Sequence, residues 1–520
     1  MSPSPRPARF SSTGTSQPTS QVRKPLGSST PSSWTASRPS SRGFWTGGTI
    51  RRYRLVRRLR KRAKIIATLG PSSASEETVA AMMRAGADAF RVNFSHGSEE
   101  DWRKYARAVR EAERRLGRWV ALIGDLTGPS VRLGDLIKPI YVKRGEVVEL
   151  RMARQSNGEY VPVPLEEFFD GVEEGDELLV DEGRVRLRVL EVGVDRVKAQ
   201  AVVDGVIKSR KSLAIFGKEL DIPTFTERDA RCARFAIEHG FDYVAMSFVR
   251  SGADVRLLRD FLSGEGGGEV RVISKIETKA GVERLEEIAA ESDAIMVARG
   301  DLGNFFPLEE IPRLQREIID TSLDLGRAVI IATQLLESLM YSPVPTRSEV
   351  VDVMVAVREG VDALMLAGET AAGRYPVEAV RWMRRIVERT EYEQRPLQRG
   401  YGAAEGLYDR FARGIALLSE SLGAKIAVYT RSGRTAARIS RYRPSTDIYA
   451  GSSGERVARQ LSILWGVSPI VLGKPRSREE ALEALISKLR EERAVSFGDI
   501  VVLAYGIREG ATEVVRIVQV

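Results

Sequence analysis

The strongest constraint on the fold is an alternation of short apolar segments and helical patterns between residue 63 and about residue 392. Eight of the apolar segments have the length and composition of buried parallel strands, and stretches with apolar residues at helical spacing separate them. Eight successive strand–helix units predict a closed (β/α)8 TIM barrel. The predicted strands are Lys64–Leu69, Ala89–Phe94, Val120–Leu126, Tyr243–Phe248, Val272–Ile276, Ala294–Ala298, Ala328–Ala332 and Ala363–Leu366.

Two other stretches depart from this alternation and predict further domains. Residues 130–216 combine frequent glycines with short segments of Val, Leu and Ile, which favours an inserted small β-barrel domain acting as a lid. A polar stretch from Glu391 to Gly406 indicates a linker, and strand–helix alternation then returns. We therefore expect the barrel in residues 61–129 and 217–392, and a separate C-terminal α/β domain in residues 405–520.

The first 60 residues have a composition of their own. They are rich in Ser, Pro and Arg, and no acidic residue occurs before Glu76, so we expect a disordered basic leader. Three interpretations stay open, namely a transit-type peptide, a basic arm for RNA or an acidic partner, and a translation start that lies further downstream. Of the 80 basic residues, fifteen fall within residues 1–64, which leaves 65 against 70 acidic residues. The overall charge of +10 is therefore no sign that the folded part binds nucleic acid.

Composition also excludes several classes of site. The chain has one cysteine, Cys232, so it can form no internal disulfide and no zinc site built on cysteines. With only two histidines, His96 and His239, a histidine-rich metal site is excluded as well. No apolar run approaches the roughly 20 residues that span a bilayer. We expect a cytoplasmic enzyme without membrane or nucleic-acid partners.

Charged residues follow the predicted strands at the end where a barrel carries its active site. Lys275 and Glu277 lie two residues apart at the end of the fifth strand, and Asp301 follows the sixth strand beside Gly300 and Gly303. Two carboxylates beside a lysine suggest a divalent cation and an anionic substrate. A structural salt bridge is the alternative interpretation. Seven of the eight predicted strands end in polar or charged residues, which favours a site.

Seven motifs, in order along residues 61–520, resemble those of the pyruvate kinase family. They are KIIATLGPS (64–72), RVNFSHG (91–97), ISKIE (273–277), MVARGDLG (296–303), ATQLLES (332–338), PTR (345–347) and MLAGETA (365–371). The resemblance implies transfer of a phosphoryl group from phosphoenolpyruvate to ADP, giving pyruvate and ATP. It also implies Mg²⁺ or Mn²⁺ as cofactor, often K⁺, and a homotetramer in which Arg347 contacts another subunit.

The resemblance assigns roles to individual residues, which we state as expectations. The catalytic residues would be Lys275, Arg91 and Thr333, and Mg²⁺ would bind Glu277 and Asp301. Phosphoenolpyruvate would contact Arg91, Lys275, Gly300, Asp301 and Thr333. The K⁺ site would consist of Asn93, Ser95, Asp125 and the carbonyl of Leu126, and the nucleotide would contact Arg132, Lys211, Asn93 and His96. A phosphorylated allosteric effector would bind the loop Thr430, Arg431, Ser432, Gly433, Arg434 and Thr435.

Some positions differ from the common pattern of the family. Ser130 and Leu126 favour a K⁺-independent type, so K⁺ stays an open cofactor. The stretches 212–217 and 304–306 also differ from the usual family sequences, at a hinge of the lid and close to the expected site. We weighed two other functions: a barrel lyase or mutase acting on a similar oxyacid, and an RNA-binding scaffold that uses the leader. The lyase or mutase predicts neither a lid nor a C-terminal domain.

Overall fold

The computed structural model describes residues 61–181, 183–393, 406–473, 475–505 and 514–520. The basic leader and most of the expected linker lie outside the described residues. Glu391, which we placed in the linker, instead belongs to the helix Pro376–Glu393. In the described part of the chain, no helix is both long enough and apolar enough to cross a membrane.

Eight parallel strands close into a barrel, which confirms the predicted fold class. Their residues are almost entirely buried, as expected for strands that helices cover on the outside. Each strand pairs with its neighbours in chain order, and the first closes on the eighth. In order, the barrel strands are Lys64–Leu69, Ala89–Asn93, Ala121–Asp125, Tyr243–Met246, Arg271–Ile276, Ala294–Ala298, Ala328–Ala332 and Ala363–Leu366.

Helices connect the barrel strands, and several of them begin with a capping box. Ser98, Thr226, Ser251 and Thr346 each accept a backbone N–H with their hydroxyl, while an acidic side chain three residues later returns to the cap. The α-helices of this region are Glu76–Ala85, Glu99–Leu116, Glu227–Glu238, Gly252–Gly264, Lys279–Glu283, Leu285–Glu291, Arg299–Leu302, Ile311–Asp324, Arg347–Arg358, Gly368–Ala371 and Pro376–Glu393. Short 3₁₀ helices span Pro71–Ser73, Leu308–Glu310 and Glu337–Met340.

The lid is inserted after the third barrel strand and has a hydrophobic core of its own. Its strands form one six-stranded sheet and two two-stranded sheets. One helix, Glu166–Gly171, packs Phe168 and Phe169 into that core, a helix that the all-β pattern of the sequence does not predict. The strands are Asp135–Leu136, Ile140–Val142, Val147–Arg151, Gln155–Ser156, Val161–Pro162, Glu177–Val180, Val185–Val192, Arg196–Ala201, Gly205–Ile207 and Leu213–Ile215.

The C-terminal domain is a five-stranded sheet with helices. Its strands are Lys425–Tyr429, Ile448–Ser452, Val467–Val471, Ile500–Tyr505 and Val514–Gln519, of which the last runs antiparallel to its neighbour. The helices are Leu407–Leu422, Arg434–Ser440, Glu455–Leu461 and Arg478–Glu491.

The C-terminal domain contacts the barrel where the barrel strands begin. Tyr243 donates its hydroxyl to the carbonyl of Gln460 at 2.7 Å, and Lys64 Nζ donates to the carbonyl of Val467 at 2.6 Å. The domain therefore covers the end of the barrel that lies opposite Lys275 and Glu277.

Candidate active site

Lys275 lies at the centre of a buried charged cluster where the third, fourth and fifth strands end. Its Nζ is 2.7 Å from Ser247 Oγ, 2.7 Å from Glu277 Oε1 and 3.5 Å from Asp125 Oδ1. Burial acts to lower the pKa of Lys275, but Asp125, Glu277 and Asp301 outweigh burial and raise that pKa. The ammonium group is thus charged at any physiological pH, although the side chain is only 12% exposed.

Glu277 is fully buried, and the backbone around it fixes its orientation. Its Oε2 accepts the backbone N–H of Phe248 at 2.8 Å. Phe248 has a φ of 55°, which is unusual for a bulky side chain and turns that N–H toward the carboxylate. Burial raises the pKa of Glu277 to about 7, against the opposing effect of Lys275. Oε1 is buried and faces the ammonium of Lys275 at 2.7 Å, an ion pair that is not directed as a hydrogen bond.

Arg91 and Asp125 form a second buried pair next to Lys275. Arg91 Nε donates to Asp125 Oδ2 at 2.6 Å, and Arg91 Nη1 donates to Thr68 Oγ1 at 3.3 Å. Asp125 is 1% exposed, and its Oδ1 has no hydrogen bond. Asp125 thus fixes the guanidinium, which leaves the outer N–H groups of Arg91 for an anion.

Asp301 and Gly300 lie in the short helix that follows the sixth strand, beside Thr333 at the end of the seventh strand. Gly300 N donates to Thr333 Oγ1 at 3.1 Å. Thr333 and Gln334 both have positive φ, 68° and 54°. Two successive residues in the left-handed region indicate a strained turn that the surrounding structure must hold.

Arg299 holds that turn, and sequence reasoning did not assign it a role. Its Nη2 donates to the carbonyls of both Thr333 and Gln334 at 2.8 Å. Its Nη1 donates to Asp352 Oδ1 at 2.8 Å. Arg299 is 9% exposed, and therefore acts as an internal brace. The sequence could have indicated such a role, because Arg299 lies in a charged motif at the end of a strand.

The four residues expected at a monovalent cation lie together, and most of their oxygen atoms already accept or donate a hydrogen bond. Asn93 Oδ1 accepts from the backbone N–H of Ser95 at 3.0 Å. Ser95 Oγ donates to Thr127 Oγ1 at 3.2 Å. The carbonyl of Leu126 accepts the hydroxyl of Ser247 at 2.8 Å. Of this set, Asp125 Oδ1 is the buried oxygen without a hydrogen bond.

The predicted nucleotide contacts lie on the barrel rim and on the two segments that join the lid to the barrel. Arg132 and Ser212 form an isolated antiparallel bridge between those segments. Lys211 Nζ is 2.8 Å from Asp181 Oδ1, so Lys211 pairs within the lid. Partial burial lowers the pKa of His96, and the charges of Arg132, Arg91 and Arg228 act in the same direction. The rim is thus strongly positive. Arg228, which the sequence did not predict at this site, contributes to that positive charge.

The expected effector loop lies at the other end of the molecule, next to the start of the barrel strands. Thr430 Oγ1 accepts the N–H of Gly433 at 2.9 Å, which closes the loop on itself. Thr430 and Thr435 are buried, whereas Arg431 and Arg434 are exposed. The loop is therefore separate from the site around Lys275.

Within the residues that the structure describes, no group of three or more His, Cys, Asp or Glu side chains is arranged to hold a metal. Mg²⁺ commonly takes only one or two protein carboxylates and completes its shell with water and substrate oxygens. Glu277 and Asp301 offer that number.

Comparisons with known proteins agree with this geometry. Residues 60–380 match the model of the pyruvate kinase barrel domain, and residues 409–518 match that of the pyruvate kinase alpha/beta domain. The pyruvate kinase of Pyrobaculum aerophilum is 40% identical over 466 residues, which cover 88% of this chain and 97% of that relative. The pyruvate kinase of Aeropyrum pernix is 37% identical over 468 residues, covering 88% of this chain and 99% of the relative.

Solved structures extend the comparison to three dimensions. The crystal structure of pyruvate kinase from Pyrobaculum aerophilum has a TM-score of 0.79 and 38% identity, and the match covers 89% of this chain and all of that one. Sequence motifs, closed barrel, inserted lid and C-terminal domain thus all agree. The chain belongs to the pyruvate kinase family, whose members transfer the phosphoryl group of phosphoenolpyruvate to ADP and release pyruvate and ATP.

Proposed function

We propose that this reaction occurs around Lys275, with Arg91 and Lys275 binding the phosphoryl group of phosphoenolpyruvate. The observation that carries the proposal is the convergence of two buried cationic side chains and two carboxylates at neighbouring strand ends. A phosphoryl group passes through a loose transition state with charge spread over its oxygens, so positioned cations supply most of the catalysis. Asp125 and Ser247 hold these cations in place.

Glu277 and Asp301 are proposed to bind Mg²⁺ or Mn²⁺. The buried Glu277 Oε1, whose pairing with Lys275 at 2.7 Å is not directed as a hydrogen bond, supports a cation at this point. Its raised pKa reflects the cost of burying a carboxylate with incomplete compensation, which a bound cation would relieve. When bound, such a cation would neutralise charge on the carboxylate, enolate and phosphoryl oxygens of the substrate. The amide groups of Gly300 and Asp301 are proposed to orient the substrate carboxylate.

Thr333 is proposed to deliver the proton that completes the reaction, directly or through a water. The phosphorus–oxygen bond of the enol ester breaks, and a β-phosphate oxygen of ADP bonds to phosphorus. The enolate then takes a proton at its methylene carbon, which gives pyruvate. Thr333 Oγ1 accepts the N–H of Gly300, so its own hydroxyl proton stays available for another acceptor.

ADP is proposed to bind between the rim and the lid. Arg132, Asn93 and His96 are proposed to contact the nucleotide. Lys211 is proposed to join them by exchanging its pairing with Asp181 for a nucleotide phosphate. Arg132 Nη1 donates to the carbonyl of Arg210 at 3.3 Å, a long hydrogen bond that a nucleotide phosphate could replace. Closure of the lid over ADP would exclude water from the transferring phosphoryl group.

K⁺ is proposed to bind near Asp125 without being required for turnover. The ammonium of Lys275 lies 3.5 Å from Asp125 Oδ1 and already supplies a positive charge there. The Leu126 carbonyl also accepts a hydrogen bond from Ser247. Replacing K⁺ by tetramethylammonium should leave kcat within about threefold, and a loss beyond a hundredfold, or about 2.7 kcal/mol, would contradict this proposal.

Assembly, location and regulation are also proposals. A homotetramer is supported by the helix Arg347–Arg358, which leaves Val351 and Val355 50% and 39% exposed for a second copy. Light scattering that gives the mass of one chain would contradict it.

The single Cys232, a buried free thiol, supports a reducing, cytoplasmic location. A phosphorylated effector is proposed to act through the loop at residues 430–435.

The test of the catalytic proposal is a coupled assay for pyruvate with purified protein, phosphoenolpyruvate and Mg²⁺. We expect pyruvate to form only when ADP is present, and Glu277→Gln to lose at least a hundredfold in kcat at ordinary Mg²⁺ concentrations. Glu100→Gln, on the exposed side of the helix Glu99–Leu116, is the matched control and should behave as wild type. Equal rates with and without ADP would contradict the phosphoryl transfer, and full activity of Glu277→Gln would contradict its role.

A further inference from the structure

The chain returns from the lid to the barrel through residues 216–222, which we call the return hinge. The boundary between the two domains falls between neighbouring residues of this segment. Phe216 N donates to the carbonyl of Glu177 in the lid at 2.8 Å, whereas Gly217 N donates to the carbonyl of Asn304 in the barrel at 3.0 Å. Gly217 has a φ of +75°, which glycine adopts without strain. Backbone rotation at this point therefore moves the lid relative to the barrel.

The contact at Gly217 joins the two stretches whose sequences differ from the usual family pattern. Gly217 ends the stretch 212–217, and Asn304 begins the stretch 304–306. The backbone N–H of Asn304 donates in turn to the carbonyl of Asp301 at 3.0 Å. Two backbone hydrogen bonds thus connect the return hinge to the residue that we propose as a cation ligand.

Glu219 fastens the return hinge to the segment that carries Glu277. Its Oε1 accepts the backbone N–H of Ala280 at 2.8 Å, three residues after Glu277. Ala280 lies in the first turn of the short helix Lys279–Glu283, where the N-cap Thr278 satisfies a different N–H. The first N–H groups of a helix have no partner within it, so Glu219 supplies a missing acceptor. A carboxylate makes this hydrogen bond stronger than a neutral acceptor would.

Arg250 holds the same hinge from another side of the barrel. Its Nη2 donates to the carbonyl of Ile222 at 2.9 Å, and its Nη1 donates to the carbonyl of Leu220 at 3.3 Å. Arg250 lies two residues after Phe248, whose N–H orients the carboxylate of Glu277. The barrel therefore holds the return hinge at three points, and each point lies two or three residues from a group of the candidate active site.

Lys218 fastens the return hinge to the lid. Its Nζ is 2.9 Å from Asp176 Oδ2 and also pairs with Glu173. Hydrogen bonds to Glu173 and Asp176 raise the pKa of Lys218, so the ammonium is charged at neutral pH. Both carboxylates belong to the turn before the lid strand Glu177–Val180. Lys218 and Glu219 are thus neighbours in the chain, but one holds the lid and the other holds the barrel.

We propose that Lys218 and Glu219 are positioning residues that couple the lid to the cation-binding carboxylates. A movement of the lid passes through Lys218 to the return hinge, and from there through Glu219 to the short helix that follows Glu277. This inference rests on the proposed function, in which ADP binds beneath the lid and the cation binds at Glu277. The two binding events then depend on each other, and such a coupling can be measured from either site.

The first test measures Mn²⁺ binding to the full chain without substrates, from the electron paramagnetic resonance of free Mn²⁺. We expect Glu219→Ala to raise the Kd for Mn²⁺ at least threefold. Glu219→Gln keeps an oxygen that accepts the N–H of Ala280, so its Kd should stay within twofold of the wild type. Glu277→Gln separates the two levels of the argument. An unchanged Kd in Glu277→Gln would refute the proposed cation site, whereas an unchanged Kd in Glu219→Ala alone would refute the role of Glu219.

The second test is a double-mutant cycle on the KM for ADP. Exposed ion pairs contribute little to stability, so Lys218→Met should fold normally, and we expect its KM for ADP to rise at least threefold with kcat within threefold. Adding Glu219→Ala should raise that KM by less than a further twofold, because one broken link already uncouples the lid. Lys198→Met removes an exposed lid lysine that pairs with Glu191, and as the matched control it should keep the KM of the wild type.

Several results would overturn the proposal. An unchanged KM for ADP in Lys218→Met, or effects of the two substitutions that multiply in the double variant, would show that the residues do not act as one link. An equal rise in Lys198→Met would attribute the effect to the net charge of the lid. A loss of Mn²⁺ affinity in Glu219→Gln as large as in Glu219→Ala would show that the hydrogen bond to Ala280 is not responsible.

Discussion

Replacing Lys275 by Met removes the positive charge at the centre of the catalytic cluster. The side chain keeps its approximate length, but Glu277 Oε1 loses its ammonium partner at 2.7 Å and Asp125 Oδ1 loses one at 3.5 Å. We expect kcat to fall by at least 10²–10³, since removing one group that stabilises transition-state charge costs about 2.7–4 kcal/mol. Lys104→Met, on the exposed face of an outer helix, is the matched control and should keep full activity.

The same substitution should give a pH-dependent loss of stability. Glu277 has a pKa raised to about 7, and Lys275 is the cation that holds it from rising further. Without Lys275 that pKa rises above 7, so the folded variant keeps Glu277 protonated where the folded wild type has begun to ionise it. A protonation difference changes the free energy of unfolding by about 1.36 kcal/mol per pH unit.

The size of the effect follows from where the wild-type carboxyl titrates. At pH 6 Glu277 is mostly protonated in both proteins, so its titration contributes little to the difference between their free energies of unfolding. Between pH 6 and pH 8 the folded wild type ionises Glu277 more readily than the folded variant does, so the stability difference should grow, by up to about 1.4 kcal/mol. Unfolding by urea, followed by circular dichroism in the presence of EDTA, measures it. A stability difference that is constant from pH 6 to pH 8 would refute the reasoning, as would a loss of kcat below tenfold.

Three further substitutions test other parts of the structure. Arg299→Met removes the brace on the strained turn at Thr333, so we expect kcat to fall about 10–100-fold, equivalent to about 1.4–2.7 kcal/mol, with the global fold intact by circular dichroism; unchanged kcat would contradict this role. Ser247→Ala removes a hydrogen bond to the charged Lys275, a bond worth about 1.5–3 kcal/mol, and should lower kcat by roughly tenfold or more in steady-state assays; wild-type kcat would show that Ser247 does not position the lysine. Ser432→Glu brings a carboxylate into the loop at residues 430–435, beside Arg431 and Arg434, so kinetic assays should detect no response to phosphorylated effectors while basal turnover persists; a retained response would contradict the assignment of the loop.

The architecture could be predicted because buried parallel strands are continuous apolar runs with clear ends. The fifth strand illustrates this, since its predicted start, Val272, differs by one residue from the observed start at Arg271. The helix Glu166–Gly171 escaped prediction because a six-residue helix shows too little periodicity to stand out in a strand-rich segment. The end of the helix Pro376–Glu393 was also misplaced, because its last residues are polar and carry no apolar period.

The charged residues of the site could be predicted, but the way in which they are held could not. Lys275, Glu277 and Asp301 are recognisable from residue type and position at strand ends. The roles of Phe248 and Thr333 depend on positive φ angles, which are set by tertiary contacts and leave no mark on a non-glycine residue. The brace from Arg299 likewise joins residues about 34 positions apart in the chain and becomes visible only when the seventh strand is placed beside the sixth.

The central claim is that Glu277 and Asp301 hold the divalent cation on phosphoenolpyruvate while Lys275 contacts the phosphoryl group. A crystal structure with Mn²⁺ and phosphoenolpyruvate, with the metal located by anomalous scattering, tests it most directly. We predict one metal peak with a carboxylate oxygen of each residue at about 2.1 Å, as for Mg²⁺, and Lys275 Nζ within hydrogen-bond distance of the phosphoryl group. A metal peak bound to neither carboxylate, or a phosphoryl group out of reach of Lys275, would contradict the account.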